Sequence, residues 1–230
     1  MKNKTLIVGL IGLVFLVILI LAVPLFLSKS GLLTSSSLIS TNSSTTFDKT
    51  ITDKVFSLKY PSVDFGVVTF GQSIPLQSYI PACESDFDYC LYFTGLEYKG
   101  TNLESAGLRV KNRTDLNTEK LCLETPATGQ GRETPPVSTV SKDIYSASLF
   151  APTGDAGAGH YASGLAYRFF YRQNSSCYEL ETRIGRTQFM NYPAGTIKEF
   201  TTTDLMALQN KIKEIILSFS LPGLTEVMLP

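Results

Sequence analysis

Apolar and polar positions divide the chain into stretches with different periods. The first has no period: from Thr5 to Ser28 the run TLIVGLIGLVFLVILILAVPLFLS carries no charge, and Lys2, Lys4 and Lys29 flank it. Its 24 residues would make a helix of roughly 36 Å, against a bilayer hydrocarbon core of about 30 Å. A cleaved signal peptide has a shorter apolar core of about 7–15 residues and a small-x-small site after it. Neither fits, so residues 1–28 read as an uncleaved transmembrane signal anchor. Residues 29–53 are rich in Ser and Thr and have no apolar period, which reads as a flexible linker. The folded domain is expected over 54–230.

Within that domain the period changes from two to about 3.6. Val55–Pro61 alternates and stops at a proline, predicting a strand. Phe65–Phe70, Asp88–Gly95 and Gly107–Lys111 are three further strand candidates. The segment TPATGQGRETPPVST, 125–139, reads as a surface loop by its Pro, Gly and Thr, and PTGDAGAGHYASG, 152–164, as a second flexible stretch. Two alternating strands flank Gln173–Ser176. With Arg172 placed opposite Cys177, Leu165, Tyr167, Phe169 and Tyr171 pair with Ile184, Thr182, Leu180 and Tyr178 on one face. The other face then carries Arg168 opposite Glu181, Phe170 opposite Glu179, and Ala166 opposite Arg183. Near the carboxyl end Leu205, Leu208, Ile212, Ile215 and Phe219 form one helical stripe. Thr201 and Asp204 are spaced as a capping box before it. The fold class that follows is α+β: a twisted antiparallel sheet with a packed C-terminal helix.

Composition alters this picture in three places. The 20 basic and 20 acidic residues cancel and form no run, which excludes nucleic-acid binding by a broad basic face. Lys2 and Lys4 on one side of the apolar segment, with Lys29 alone on the other, put the amino terminus in the cytoplasm and the domain outside. All four cysteines, Cys83, Cys90, Cys122 and Cys177, lie in that outside part. An even number in an exported domain predicts two disulfides among three possible pairings. Position favours Cys83–Cys90, which brackets a short loop just before a strand, and Cys122–Cys177, which ties the segment before the 125–139 loop to the long hairpin, against the bland reading of four buried thiols. No C-x2-C occurs and His160 is the only histidine, so no zinc site or other metal or cofactor site is expected.

Candidate chemistry is sparse. His160, in AGAGHYASG, has no recognisable nucleophile signature nearby. A sortase-like arrangement fails because Cys122 precedes His160 and sits in KLCLET. The glycines of 154–159 lack the G-K-[ST] ending of a phosphate loop and precede a strand rather than a helix. A type IV pilin-like helix would need a glutamate after a processing glycine, and neither Gly9 nor Gly12 has one. Sequons at Asn42, Asn112 and Asn174 are no more than a Ser/Thr-rich chain offers by chance. Arg168, Phe170, Glu179, Glu181 and Arg183 form a ladder on one sheet face. Its ordinary reading is cross-strand pairing on a solvated face; its sharper reading is a polar recognition surface centred on Phe170.

The run Phe56-Ser-Leu-Lys-Tyr-Pro-Ser62 resembles the first strand of PsbP-like domains, where F-x-x-x-Y-P opens the fold. The helix over 203–217 running into Ile216–Leu221 is similar to that family's last helix and short strand. Together they cover about 30 residues at the two ends. The resemblance implies an α-β-α sandwich and a non-enzymatic accessory protein that binds proteins or membrane complexes. The functional expectation is thus an anchored, extracytoplasmic, non-catalytic binding domain with a protein partner at the outer membrane face. The rival is an anchored hydrolase or small-ligand binder with its site near His160.

Overall fold

A computed structural model describes residues 46–53, 55–68, 89–129, 132–223 and 228–230. The expected anchor and most of the linker lie outside these residues, as does Cys83. Among the described residues no helix is long and apolar enough to cross a membrane.

The strands are β1 (Lys49–Thr52), β2 (Ser57–Tyr60), β3 (Phe65–Val68), β4 (Tyr89–Phe93), β5 (Leu103–Asn112), β6 (Ala127–Gly129), β7 (Arg132–Thr134), β8 (Pro136–Ser141), β9 (Tyr145–Gly157), β10 (His160–Tyr171) and β11 (Ser176–Thr187). Among the described residues two α-helices join them, α1 (Glu119–Glu124) and α2 (Thr202–Leu217). Seven strands form one sheet in the order β3-β4-β5-β11-β10-β9-β8. All its pairings are antiparallel. The class is α+β.

Helix α2 forms where its stripe predicts. The Thr201 side chain accepts from the Asp204 amide, and the Asp204 side chain accepts from the Thr201 amide, closing the capping box. Leu208, Ile212, Ile215 and Ile216 are buried. They join Tyr167, Phe169, Tyr178, Leu180 and Ile184 of the sheet in the main core. Phe219 lies just beyond the helix, with ring centroids 5.2 Å from Phe169 and 5.6 Å from Phe56. Ser57 and Ser220 exchange backbone hydrogen bonds of 2.9 Å, fastening β2 to the segment after α2.

Four expectations are corrected. The folded part starts earlier than residue 54: β1 pairs with β2, and Ile51 is buried in the core. The stretch 125–139 is not an open loop, since it forms the β6–β7 hairpin and most of edge strand β8. Pro136 is tolerated there because an edge strand can spare an amide. The stretch 152–164 is the far end of the β9–β10 hairpin, closed by Gly157 opposite His160. Its turn, Ala158-Gly159, has positive φ at both positions (50° and 80°), the type I′ geometry that matches strand twist. Gly and Ala show no apolar alternation, so a strand made of them looks like a linker.

The β10–β11 register is the fourth. Tyr171 pairs with Ser176 and Phe170 with Cys177, so the turn is Arg172–Ser175 rather than Gln173–Ser176. Arg168 therefore faces Glu179, Tyr167 faces Leu180 and Ala166 faces Glu181. The shift is two residues, an even number, so every side chain stays on its expected face. Arg172 leaves the ladder for bonds of its own. Its guanidinium meets Glu119 at 2.7 Å, Ser146 at 2.7 Å and Ser141 at 2.9 Å, and also the Lys142 carbonyl.

Candidate functional site

The sheet face turned away from α2 carries the ladder, and it is not solvated. Arg168 is 1 % exposed and Arg183 3 %; Phe170, Glu179, Glu181 and Arg109 are buried with them. The expected recognition surface of Arg168, Phe170, Glu179, Glu181 and Arg183 is thus an interior layer. Helix α1 supplies part of the cover. Leu116 and Cys122 pack on Phe170 and Cys177, and Ala127 packs on Phe150 and Ala166.

The Cys122–Cys177 disulfide fixes that cover to β11, with Cα atoms 5.7 Å apart. Cys90 is also disulfide-bonded; its expected partner, Cys83, lies outside the described residues. Thr118 caps α1 by accepting from the Leu121 amide. Glu119 is held below the ordinary carboxylate range by bonds from Arg172 and Ser146.

Beneath α1 the charges close on themselves. Arg168 donates from Nε to Glu179 at 2.5 Å and from Nη1 to the Thr125 carbonyl. Its guanidinium carbon stands 4.5 Å from the Phe150 ring centroid, a cation–π contact. Arg113 reaches the same Glu179 at 3.0 Å and Asp115 at 2.7 Å. The Asp115 bond holds Arg113 above its usual value, and Arg113 pushes the Asp115 carboxyl down to about 2.

The neighbouring half of this face is built differently. Arg109 and Arg183 share Glu181: Arg109 binds Oε2, and Arg183 gives Nε and Nη2 to Oε1, each at 2.6 Å. Burial pulls the Arg109 guanidinium below its ordinary value, against the attraction of Glu181. The third Arg183 nitrogen, Nη1, is buried and has no hydrogen-bond partner, and neither has the buried Oγ of Ser105.

Ser105 pairs with Gly185, and Arg183 with Gly107, in the β5–β11 ladder. Residues opposite one another share a face, and so do residues two apart. Ser105 and Arg183 therefore occupy diagonal corners of one patch whose other two corners are glycines. A side chain at Gly107 would place its Cβ 2.6 Å from the Leu91 carbonyl oxygen, so backbone rather than a side chain occupies that corner.

The sheet is irregular around this patch. The β5–β11 register shifts between Gly185 and Arg186, and the β9–β10 register between Gly164 and Ala166. Thr182 Oγ1 accepts from the Leu165 amide at 2.9 Å, taking a ladder position. The first shift falls at Glu104, between Leu103 and Ser105. His160 Nδ1 meets both Glu104 oxygens at 2.9 Å, and the His160 side chain is 30 % exposed. A bulge that re-aims a side chain is common beside functional sites.

Sequence reasoning singled out His160 but not Glu104, Ser105 or Arg109. The available signal was alternation: extending β5 back to Leu103 puts Ser105, Gly107, Arg109 and Lys111 on one face. No protein-family model matches this chain, and no curated protein matches it.

Proposed function

We propose that this chain is an anchored, extracytoplasmic accessory domain that binds a partner without transforming it. Its apolar segment 5–28 would hold it in the bilayer, amino terminus inside. The observation that carries the placement is the Cys122–Cys177 disulfide, which pins α1 over the sheet and suits an oxidising compartment. A sheet with α2 on one face and α1 on the other agrees with the α-β-α sandwich that the PsbP-like resemblance implies. Tyr161, whose ring lies 6.0 Å from the Arg186 guanidinium carbon, is exposed at the hairpin end, and Gln188, just before exposed Met190 and Tyr192, bonds to the Gly159 carbonyl of its turn. Tyr, Met and Arg are the residues enriched at protein interfaces.

One observation favours the rival. His160 faces the Glu104 carboxylate, the arrangement that orients a general base. A nucleophile bonded to that base would complete it, but the hydroxyl directly opposite His160 in the ladder, that of Thr187, bonds to the Asn102 carbonyl and to Tyr192. Binding is the better reading.

Protease added to spheroplasts should digest the domain, while full protection refutes the placement. Crosslinking in native membranes should give a discrete adduct that Tyr161→Ala with Met190→Ser weakens. An unchanged adduct refutes that end of the sheet as the contact. Substrate turnover abolished by His160→Ala would establish the rival.

A further inference from the structure

We infer that the patch between Arg183 and Ser105 is a binding site for the carboxylate group of a small organic acid. This goes beyond the accessory reading above and does not depend on it, since a small-ligand site beside His160 is the binding half of the rival reading. Native proteins satisfy nearly all buried polar groups with protein, water or ligand. Two unsatisfied groups in one small patch thus mark a place where an acceptor belongs. Arg183 Nη1 and Ser105 Oγ are both buried and both without a partner.

They share one sheet face across Gly107 and Gly185, so no side chain stands between them. Arg183 is immobilised by two bonds to Glu181, which leaves its last edge preset and lowers the ordering cost of binding. One guanidinium N–H edge and one hydroxyl make two donors. Two donors match the two oxygens of a carboxylate; a phosphate dianion brings three or four oxygens and a second charge. Glu181 already offsets part of the local positive charge, which favours a monoanion. The Ser105 end of the patch lies nearer solvent than the Arg183 end, since Ser105 is half-buried and His160 is part exposed. The ladder irregularities nearby are what a sheet shows where it has been shaped around a ligand.

The test uses the full-length chain in detergent, titrated with acetate and propionate at constant ionic strength, against chloride and phosphate. Melting temperature and calorimetric heat are read. A saturable stabilisation by the carboxylates is expected. Ser105→Ala should weaken it several-fold and Arg183→Gln roughly tenfold or more, as expected for a bond to a charged group. If Arg183→Gln does not fold, Ser105→Ala alone decides. Absence of a saturable response, an equal response in Ser105→Ala, or tighter binding of phosphate each overturns the carboxylate site. None of those results touches the spheroplast or crosslinking readouts, so failure here is separable from failure of the accessory reading.

Discussion

The two faces of the seven-stranded sheet solve the same burial problem with opposite chemistry. Against α2, Leu208, Ile212, Ile215 and Phe219 meet Tyr167, Phe169, Tyr178 and Leu180 in an apolar layer. On the reverse face Arg109, Arg168 and Arg183 are buried with Glu179 and Glu181. Apolar burial stabilises at about 25 cal/mol per Å² and needs no particular geometry beyond close packing. Buried ions must first recover a desolvation cost of several kcal/mol each, which only good hydrogen-bond geometry repays. The charged face therefore adds little net stability but tolerates few arrangements. Its cover is locked by a disulfide, whereas α2 needs only its cap and its stripe.

The sharpest way to test that contrast is to damage each face in turn. Phe169→Ala on the apolar face should destabilise by about 3–5 kcal/mol, the usual cost of an aromatic cavity, measured by urea unfolding. A loss under 1 kcal/mol would mean the layer is not tightly packed.

Replacing Cys122 and Cys177 together by Ser should cost about 4 kcal/mol by loop-closure entropy. Hydrogen exchange should then show lost protection in α1 and retained protection in α2. Equal loosening of both helices would contradict the division into two independently held layers.

Arg168→Ala should cost about 3 kcal/mol, since it strips Glu179 of its closest partner and leaves Arg113 alone to hold it. Arg168→Met combined with Glu179→Leu should regain most of that loss. A double variant as unstable as the single would show that the charges are worth more than their volume, against the argument above.

Thr201→Ala removes the α2 cap and should cost about 1 kcal/mol, with no effect on the charged face.

The smallest effect concerns acid. Asp115 has a folded-state pKa of about 2, below its ordinary value of 3.8. Its contribution is therefore complete above about pH 4 and lost as pH falls toward 2. With 58 % of the side chain exposed, solvent screening holds that contribution below about 1 kcal/mol. Asp115→Asn should lower stability by up to that amount at neutral pH and converge with the parent as pH falls toward 2, which flattens the profile across that window. A larger effect at pH 7 would place Asp115 deeper in the network than Arg113 alone.

What was legible in the sequence follows the range of each interaction. The α2 helix, its capping box and its buried stripe depend on residues three and four apart, and all were readable. The two faces of the β10–β11 hairpin were readable too, because parity survives an even slip. Which residues stood opposite was not, because Arg172 was drawn out of the ladder by Glu119, more than 50 positions earlier in the chain. The glycine-rich hairpin end also escaped notice. Its strands are held by backbone pairing, and backbone leaves no mark in side-chain alternation.

The sequence alone determined the apolar segment at 5–28, the α+β class, which side chains share a face, and cysteines spaced for a Cys122–Cys177 bond. Only the tertiary structure decided that Arg168, Phe170, Glu179, Glu181 and Arg183 are interior. Burial around Arg168 and Phe170 depends in part on α1, a six-residue helix too short to stand alone, which holds its place through a disulfide and the Arg172–Glu119 pair. A charged ladder reads the same in sequence whether water or a helix lies above it. The cover is non-local, and so is the pairing of Ser105 with Arg183.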